Sequence, residues 1–253
     1  MMALQSGSNG NSIYVEAAGV RLLIDAGITG LQMQQRLATR GIAAADIDAL
    51  LISHDHRDHV QCMGVYHRKF GMPVYVTERT LMAARSRLRL GIIDDIRIFS
   101  SGSVLKFGPV TVETVPTPHD GVDGVGFVID DGRNRLGVLT DLGHVFGGLS
   151  DVLSSLDAVL MESNYEPRLL DSGPYPEFLK DRIRGPSGHL SNQETGELLG
   201  KAFRSRLRWA CLAHLSEQNN DPRLALTTSQ EIVGAGHKLT VASRYAVSAM
   251  FDV

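Results

Sequence analysis

Three features of the sequence predict an α/β fold. Short apolar runs alternate with amphipathic segments along the whole chain, without a low-complexity stretch, a long linker or a short-period repeat. One run, "IDALLIS", carries its apolar residues consecutively, as a strand buried on both faces does. Four runs end on a side chain able to hold a metal ion: "ALLIS" on His54, "VETVPTP" on His119, "RLGVLT" on Asp141 and "RWACLA" on His214. In an α/β sheet the carboxyl ends of strands gather at one edge, where ligand sites form.

The elements follow in order. "NSIYVEAAGVRLLIDAG" reads as a hairpin with Ala18-Gly19 at the turn and Gly27 ending its second strand. A helix is expected from about Leu31 to Arg40, stopped by Gly41. After the strand "IDALLIS", residues 60 to 70 and 78 to 90 read as helices flanking the strand "PVYV". Strands "VTVETV", "GVGFVID", "RLGVLT" and "DAVLME" come next. Ser191 with Glu194 three residues on is a capping box that opens a helix through "SNQETGELLGKAF". "RWACLA" is a further strand, and Pro222 sits in the first turn of a last helix that ends at Gly234 or Gly236.

Composition bounds the function. The 253 residues, 43% apolar and 21% charged, suit a globular protein with an ample core, read here as one domain over residues 1–253. A net charge of −3 argues against a broadly basic protein that coats nucleic acid. No apolar run is long enough for a membrane span, and "MMALQSGSNG" lacks the basic and apolar regions of a signal peptide. Two cysteines, Cys62 and Cys211, make no disulfide framework, so a cytoplasmic setting is expected, with both thiols packed in the core.

The densest chemistry lies in "LLISHDHRDHV". His54 and His56, two apart on an extended segment, project to one side and can chelate one ion. Asp58 and His59 lie beyond a bend and can face a second, with Asp58 also a candidate catalytic residue. His119 would complete the first set, His214 the second, and Asp141 could bridge both through its two oxygens. Nitrogen and oxygen donors without thiolate suit Zn²⁺, with Mn²⁺ or Fe as alternatives. Asp25 is a candidate to orient a ligand histidine, and His144 to sit behind Asp141. Arg57 is expected to point away from the ions, toward a carboxylate or the substrate rim.

"HDHRDH" is similar to the HxHxDH signature of the metallo-β-lactamase superfamily, and His119, Asp141 and His214 follow in the order of its later ligand motifs. The resemblance spans the chain. It implies an αβ/βα four-layer sandwich, two mixed sheets face to face with helices outside, and a dinuclear site at one edge. "SGSNGNSIYVEAAGVRLLIDAG", "MESN", "GHLSN" and "HLSEQNN" resemble more narrowly the YycJ/WalJ branch, which is associated with exonuclease or phosphodiesterase chemistry; the pattern departs from it at Tyr165.

These readings imply a dinuclear-metal hydrolase in which a bridging hydroxide attacks a phosphodiester, as a 5′-to-3′ exonuclease does, with nucleic acid or a small phosphodiester as substrate and no membrane partner. A lactonase or other carboxyl-ester or β-lactam-type hydrolase uses the same donors, and a non-catalytic binding module is the reading from another class. His189, just ahead of a helix N-terminus, is the candidate general acid or phosphate contact. Ser163, Asn164, Arg182, Arg184 and Asn219 are candidates to bind substrate, with Asn219 and Asn220 alternatively capping the last helix. The remaining arginine clusters, at 85–89 and 204–208, read as solvated helix faces, the polar turn from Ser6 to Asn11 as a structural turn or a phosphate cradle, and His67 and His237 as surface residues.

Overall fold

The computed structural model describes residues 1–253, which divide into two compact units. Met1–Pro116, Gly121–Val125 and Ser243–Asp252 form the first; Thr117–Asp120, Gly126–Ala242 and Val253 form the second.

The first unit contains β1 (Met2–Gln5), β2 (Ser12–Ala17), β3 (Val20–Ile24), α1 (Gly30–Ala38), β4 (Ala49–Leu51), α2 (Arg57–Val60), α3 (Met63–Phe70), β5 (Val74–Thr77), α4 (Glu78–Arg87) and β6 (Ile96–Phe99). Its chain also forms the antiparallel pair β7 (Val104–Phe107) and β8 (Val110–Pro116). A six-stranded mixed sheet runs β1-β2-β3-β4-β5-β6, antiparallel through β3 and parallel beyond it. The β2–β3 hairpin turns at Ala18 and Gly19, both at positive φ (46° and 82°), as a two-residue turn matched to the strand twist requires. β3 stops at Ile24, short of the expected Gly27, because Asp25 takes a left-handed conformation at φ 65°. β4 is buried throughout, and Leu50 and Ile52 are sealed from solvent in one cluster with Met33, Tyr66 and Val74. Each such side chain contributes about 2 kcal/mol by burial, so the strand that delivers His54 is anchored in the core of the unit.

The second unit contains β9 (Val125–Asp130), β10 (Arg135–Leu139), α5 (Leu149–Ser154), β11 (Ala158–Glu162), α6 (Pro167–Ser172), α7 (Glu177–Arg184), α8 (Asn192–Ala202), β12 (Trp209–Ala213), α9 (Pro222–Val233) and β13 (Lys238–Val241). β9 pairs antiparallel with β10, and β10, β11, β12 and β13 follow as parallel neighbours, so this sheet is mixed as well. β11 and β12 are buried at every position. The Ser191–Glu194 capping box opens α8 as expected. At α9 the cap is Asp221, whose side chain accepts from the N–H groups of Arg223 and Leu224; Asn219 and Asn220 do not fill that role.

Candidate metal centre

In the first unit β4 ends and the chain turns through Ser53 into the histidine loop, with His56 as the N-cap of α2 and Asp58 in its first turn. The His54 ring lies 4.6 Å from that of His56 and 4.2 Å from that of His59, centroid to centroid, and Asp58 Oδ2 is 3.5 Å from His59 Nε2. Asp25, buried at the end of β3, organises this group. Its Oδ1 accepts from the Ser53 backbone N–H at 2.8 Å; its Oδ2 accepts from Ser53 Oγ at 2.9 Å and from His59 Nδ1–H at 2.7 Å. The Ser53 hydroxyl, having given its proton to Asp25, accepts from His54 Nδ1–H at 2.9 Å. Both rings therefore carry their proton on Nδ1 and keep an Nε2 lone pair, the tautomer that a histidine ligand needs.

Asp55, although inside the motif, is an anchor. Its Oδ1 accepts from Val122 N–H at 2.7 Å and its Oδ2 pairs with Arg87. The segment so held passes close enough that a Cβ on Gly121 would meet His54 Cδ2 at 2.6 Å, so only glycine fits there. Gly27 is equally constrained, since a Cβ would lie 1.7 Å from the Asp58 carbonyl oxygen. Arg57 is exposed and donates to the Gln61 amide oxygen.

In the second unit the donors arrive from separate loops. Asp141 Oδ1 lies 3.5 Å from both His119 Nε2 and His214 Nε2. His119 Nδ1–H donates to the Gly188 carbonyl at 2.8 Å, again leaving Nε2 as the ligand atom. Ligand-competent atoms of Asp141, Glu162, His189 and His214 fall within 4.8 Å of one another. Glu162, not among the residues singled out as ligands above, is fully buried at the end of β11. Its Oε2 accepts from Leu142 N–H and Leu190 N–H, tying together the loops that carry Asp141 and His189, and its Oε1 accepts from His189 Nδ1–H at 2.5 Å. Burial alone pushes the His189 imidazole down, but the Glu162 carboxylate, with Asp141 and Asp120 behind it, outweighs burial and holds it above the ordinary histidine range. Three of the five non-glycine residues at positive φ are Asp25, Asp141 and His214, so backbone strain concentrates on the candidate site.

Several expected substrate contacts are buried braces. Ser163, Asn164 and Asn219 are all shielded from solvent. Ser163 Oγ donates to Asn192 Oδ1 at 2.7 Å, Asn192 and Asn220 exchange amide hydrogen bonds, and Asn220 Nδ2 returns to the Ser163 carbonyl at 2.9 Å. The segments "MESN", "GHLSN" and "HLSEQNN" are thus sewn to one another. Asn164 Nδ2 donates to the His214 carbonyl at 2.8 Å and lies 3.2 Å from its Nδ1, and Asn219 binds Ser216 Oγ. Tyr165 sits in a small cluster with Leu170 and Ile183, and burial pushes its hydroxyl up to about 12.

Arg184 is surrounded by Asp171, Glu177 and Asp181, so its charge is already matched and it is a poor phosphate contact. Arg182 stands closer to the chemistry. It donates to Asp120 Oδ2 at 2.6 Å, which holds the guanidinium pKa up, and it lines a small depression with His119 and His189. Its cluster mates elsewhere are structural: Arg206 and Arg208 both pair with Asp157. His144 binds the Pro186 carbonyl, His67 bridges the Met72 carbonyl and Asp94 N–H, and His237 stacks on Phe203. In the Ser6–Asn11 turn, Gly7 N–H donates to Asn11 Oδ1 and Gly10 N–H to the Gly7 carbonyl, while Ser6 N–H and Asn11 N–H donate to the Ser243 and Asp58 carbonyls. Asn11 also presents Nδ2 to His59 Nε2 at 3.0 Å. Cys62 is partly buried against the first unit's core, and burial of Cys211 pushes its thiol up to about 11.

The donors fit hard or borderline divalent ions: imidazole Nε2 and carboxylate oxygen, with no thiolate among them. No helix is long and apolar enough to cross a membrane.

Comparison with known proteins agrees with this chemistry. The beta-lactamase superfamily domain is matched over residues 20–209, a span that takes in residues of both units. The chain is 37% identical over 229 residues to the exodeoxyribonuclease WalJ of Streptococcus pneumoniae serotype 2, covering 89% of this chain and 84% of that protein. It is 31% identical over 230 residues to the exodeoxyribonuclease YycJ of Bacillus anthracis, covering 91% of this chain and 87% of that one. Among solved structures, the metallo-β-lactamase-fold protein YhfI of Bacillus subtilis shares the fold, with a TM-score of 0.74 at 16% identity over 98% of each chain. By its sequence, its two mixed sheets and its donor set, the chain belongs to the metallo-β-lactamase superfamily, in the branch of the YycJ and WalJ proteins.

Proposed function

We propose that this chain is a dinuclear-metal-dependent hydrolase that cleaves phosphodiester bonds of nucleic acid, as a 5′-to-3′ exonuclease. The observation that carries the reading is the Asp141 carboxylate set equally against His119 and His214, a bridging donor of the kind two-metal phosphoesterases use. The exodeoxyribonuclease names of the WalJ and YycJ relatives support the choice of substrate.

His54, His56 and His119 would hold one ion, Asp58, His59 and His214 the other, and Asp141 both, with Zn²⁺ the ion these donors favour. Two divalent ions supply a nucleophile at neutral pH and neutralise charge that develops on the phosphoryl oxygens. The chain's own work is positional. Asp25, Ser53 and the Gly188 carbonyl keep three imidazoles in one tautomer, and ligation through His59 exchanges its Asn11 contact for an ion. His189, fixed by Glu162, is the proton donor to the leaving oxygen, and Arg182 contacts the phosphate beside it.

The test is a screen of the metal-reconstituted protein on end-labelled single- and double-stranded DNA and RNA, beside bis(p-nitrophenyl) phosphate and a homoserine lactone. Progressive shortening of DNA from its 5′ end is expected. Opening of the lactone with every phosphodiester intact would make the protein a lactonase, and less than one ion per chain after reconstitution would make it a binding module.

A further inference from the structure

A cleft of about 370 Å³ opens in the first unit. Arg36 and Arg244 both line it, with the amides of Gln5, Gln32 and Gln61, and no Asp or Glu does.

Arg36 makes the case. It is half-buried on α1, and every group it meets is a neutral acceptor: the Leu4 carbonyl at 2.9 Å, the Tyr245 carbonyl at 2.9 Å and the Gln5 side-chain oxygen. Partial burial of a guanidinium without a counter-ion opposes its charge. A guanidinium bonds an oxyanion about twice as strongly as it bonds a neutral carbonyl. The positive end of α1 opens on the same cleft through Thr29 and Gln32. The cleft also begins where the histidine loop ends. Gln61 and Cys62, two of its walls, follow His59 by two and three residues, and Gln61 Nε2 donates to the Gly27 carbonyl at 2.6 Å.

We propose that this cleft is an anion subsite that takes a second phosphate of the substrate strand, beside the phosphate being cleaved. The identity of the ligand as nucleic acid rests on the nuclease reading; its negative charge does not.

The test variant is Gln32→Glu. A glutamate keeps the capping hydrogen bonds to Thr29 and places a carboxylate one turn from Arg36, so the helix is retained while a negative charge is set against Arg36 in the cleft. Binding of an uncleavable phosphorothioate single-stranded DNA to the metal-loaded full chain is followed by fluorescence anisotropy across a salt series. Gln32→Glu is expected to raise Kd about tenfold, and the slope of log K against log salt is expected to fall by about 0.7, one single-strand phosphate. A loss confined to 5′-phosphorylated DNA assigns the subsite to the terminal phosphate; a loss shared by 5′-hydroxyl DNA assigns it to an internal one. Alkylation of Cys62 gives a readout that needs no nucleic acid, with the buried Cys211 as internal reference. Inorganic phosphate is expected to slow Cys62 labelling in the wild type and not in Gln32→Glu. Equal salt slopes and equal protection in the two proteins overturn the subsite, even when DNA is cut normally. Protection by phosphate that Gln32→Glu abolishes, in a protein that neither binds nor cuts DNA, upholds the subsite and removes the nuclease reading.

Discussion

The first unit carries its donors on one continuous loop, whereas the second gathers His119, Asp141, His189 and His214 from four. The loop is shaped by local constraints: the α2 turn, the Asp55 anchor, and glycines at 27 and 121 where no Cβ fits. The second set has no local signature and depends on which strands lie side by side. Both units nevertheless use one device. A buried carboxylate at a strand end, Asp25 after β3 and Glu162 at the end of β11, accepts a histidine Nδ1–H and also binds backbone N–H groups of the adjoining loops. Donor identity alone does not make a site; a carboxylate that fixes ring and loop together does.

Removing a donor from the continuous loop is expected to have the largest effect. His54→Ala or Asp58→Ala should lower bis(p-nitrophenyl) phosphate turnover by about 10³-fold or more, with the circular dichroism spectrum retained; unchanged turnover in either variant would detach the loop from catalysis. The orienting carboxylates come next. Asp25→Asn and Glu162→Gln should each lower metal affinity or turnover about 10- to 100-fold, measured by competition with a chromogenic chelator and by kcat. A large effect at Asp25 with none at Glu162 would break the parallel between the units.

Asn220→Ala leaves the Ser163 and Asn164 carbonyls short of a donor and should cost about 1–3 kcal/mol of stability, seen as a lower denaturant midpoint. A rise in KM for DNA at unchanged stability would return that segment to the substrate surface. The smallest effect is expected at Arg184→Ala, whose exposed ion pairs are screened by solvent and contribute little to stability. DNA affinity should stay within twofold of wild type, and a larger loss would restore Arg184 as a phosphate contact.

Much of this was legible in the sequence. The "HDHRDH" spacing marks its candidate donors, and strand-end positions mark His119, Asp141 and His214 as further candidates, because apolar runs mark the strands that deliver them. Short strands without a continuous apolar run were not: β6 and β7 each leave two residues exposed in four or nearly so, and their alternation is too brief to read. Glu162 closes "DAVLME" like any polar residue ending a strand, and only the fold shows two loops converging on it. Ser163, Asn164 and Asn219 are buried, and a sequence does not separate a buried brace from an exposed contact, because both use the same polar side chains. Arg184 was readable, since Asp181 and Glu177 stand three and seven residues before it on one face of α7.

The central claim is that two ligand sets hold two ions that together drive phosphodiester cleavage. Titrating the metal-free chain with Zn²⁺ or Mn²⁺, while measuring bound metal and bis(p-nitrophenyl) phosphate turnover on the same samples, tests it directly. Turnover is expected to be negligible without metal, to rise with occupancy and to level off at two ions per chain. Full turnover in the metal-free chain, or a plateau with less than one ion bound, would contradict the account.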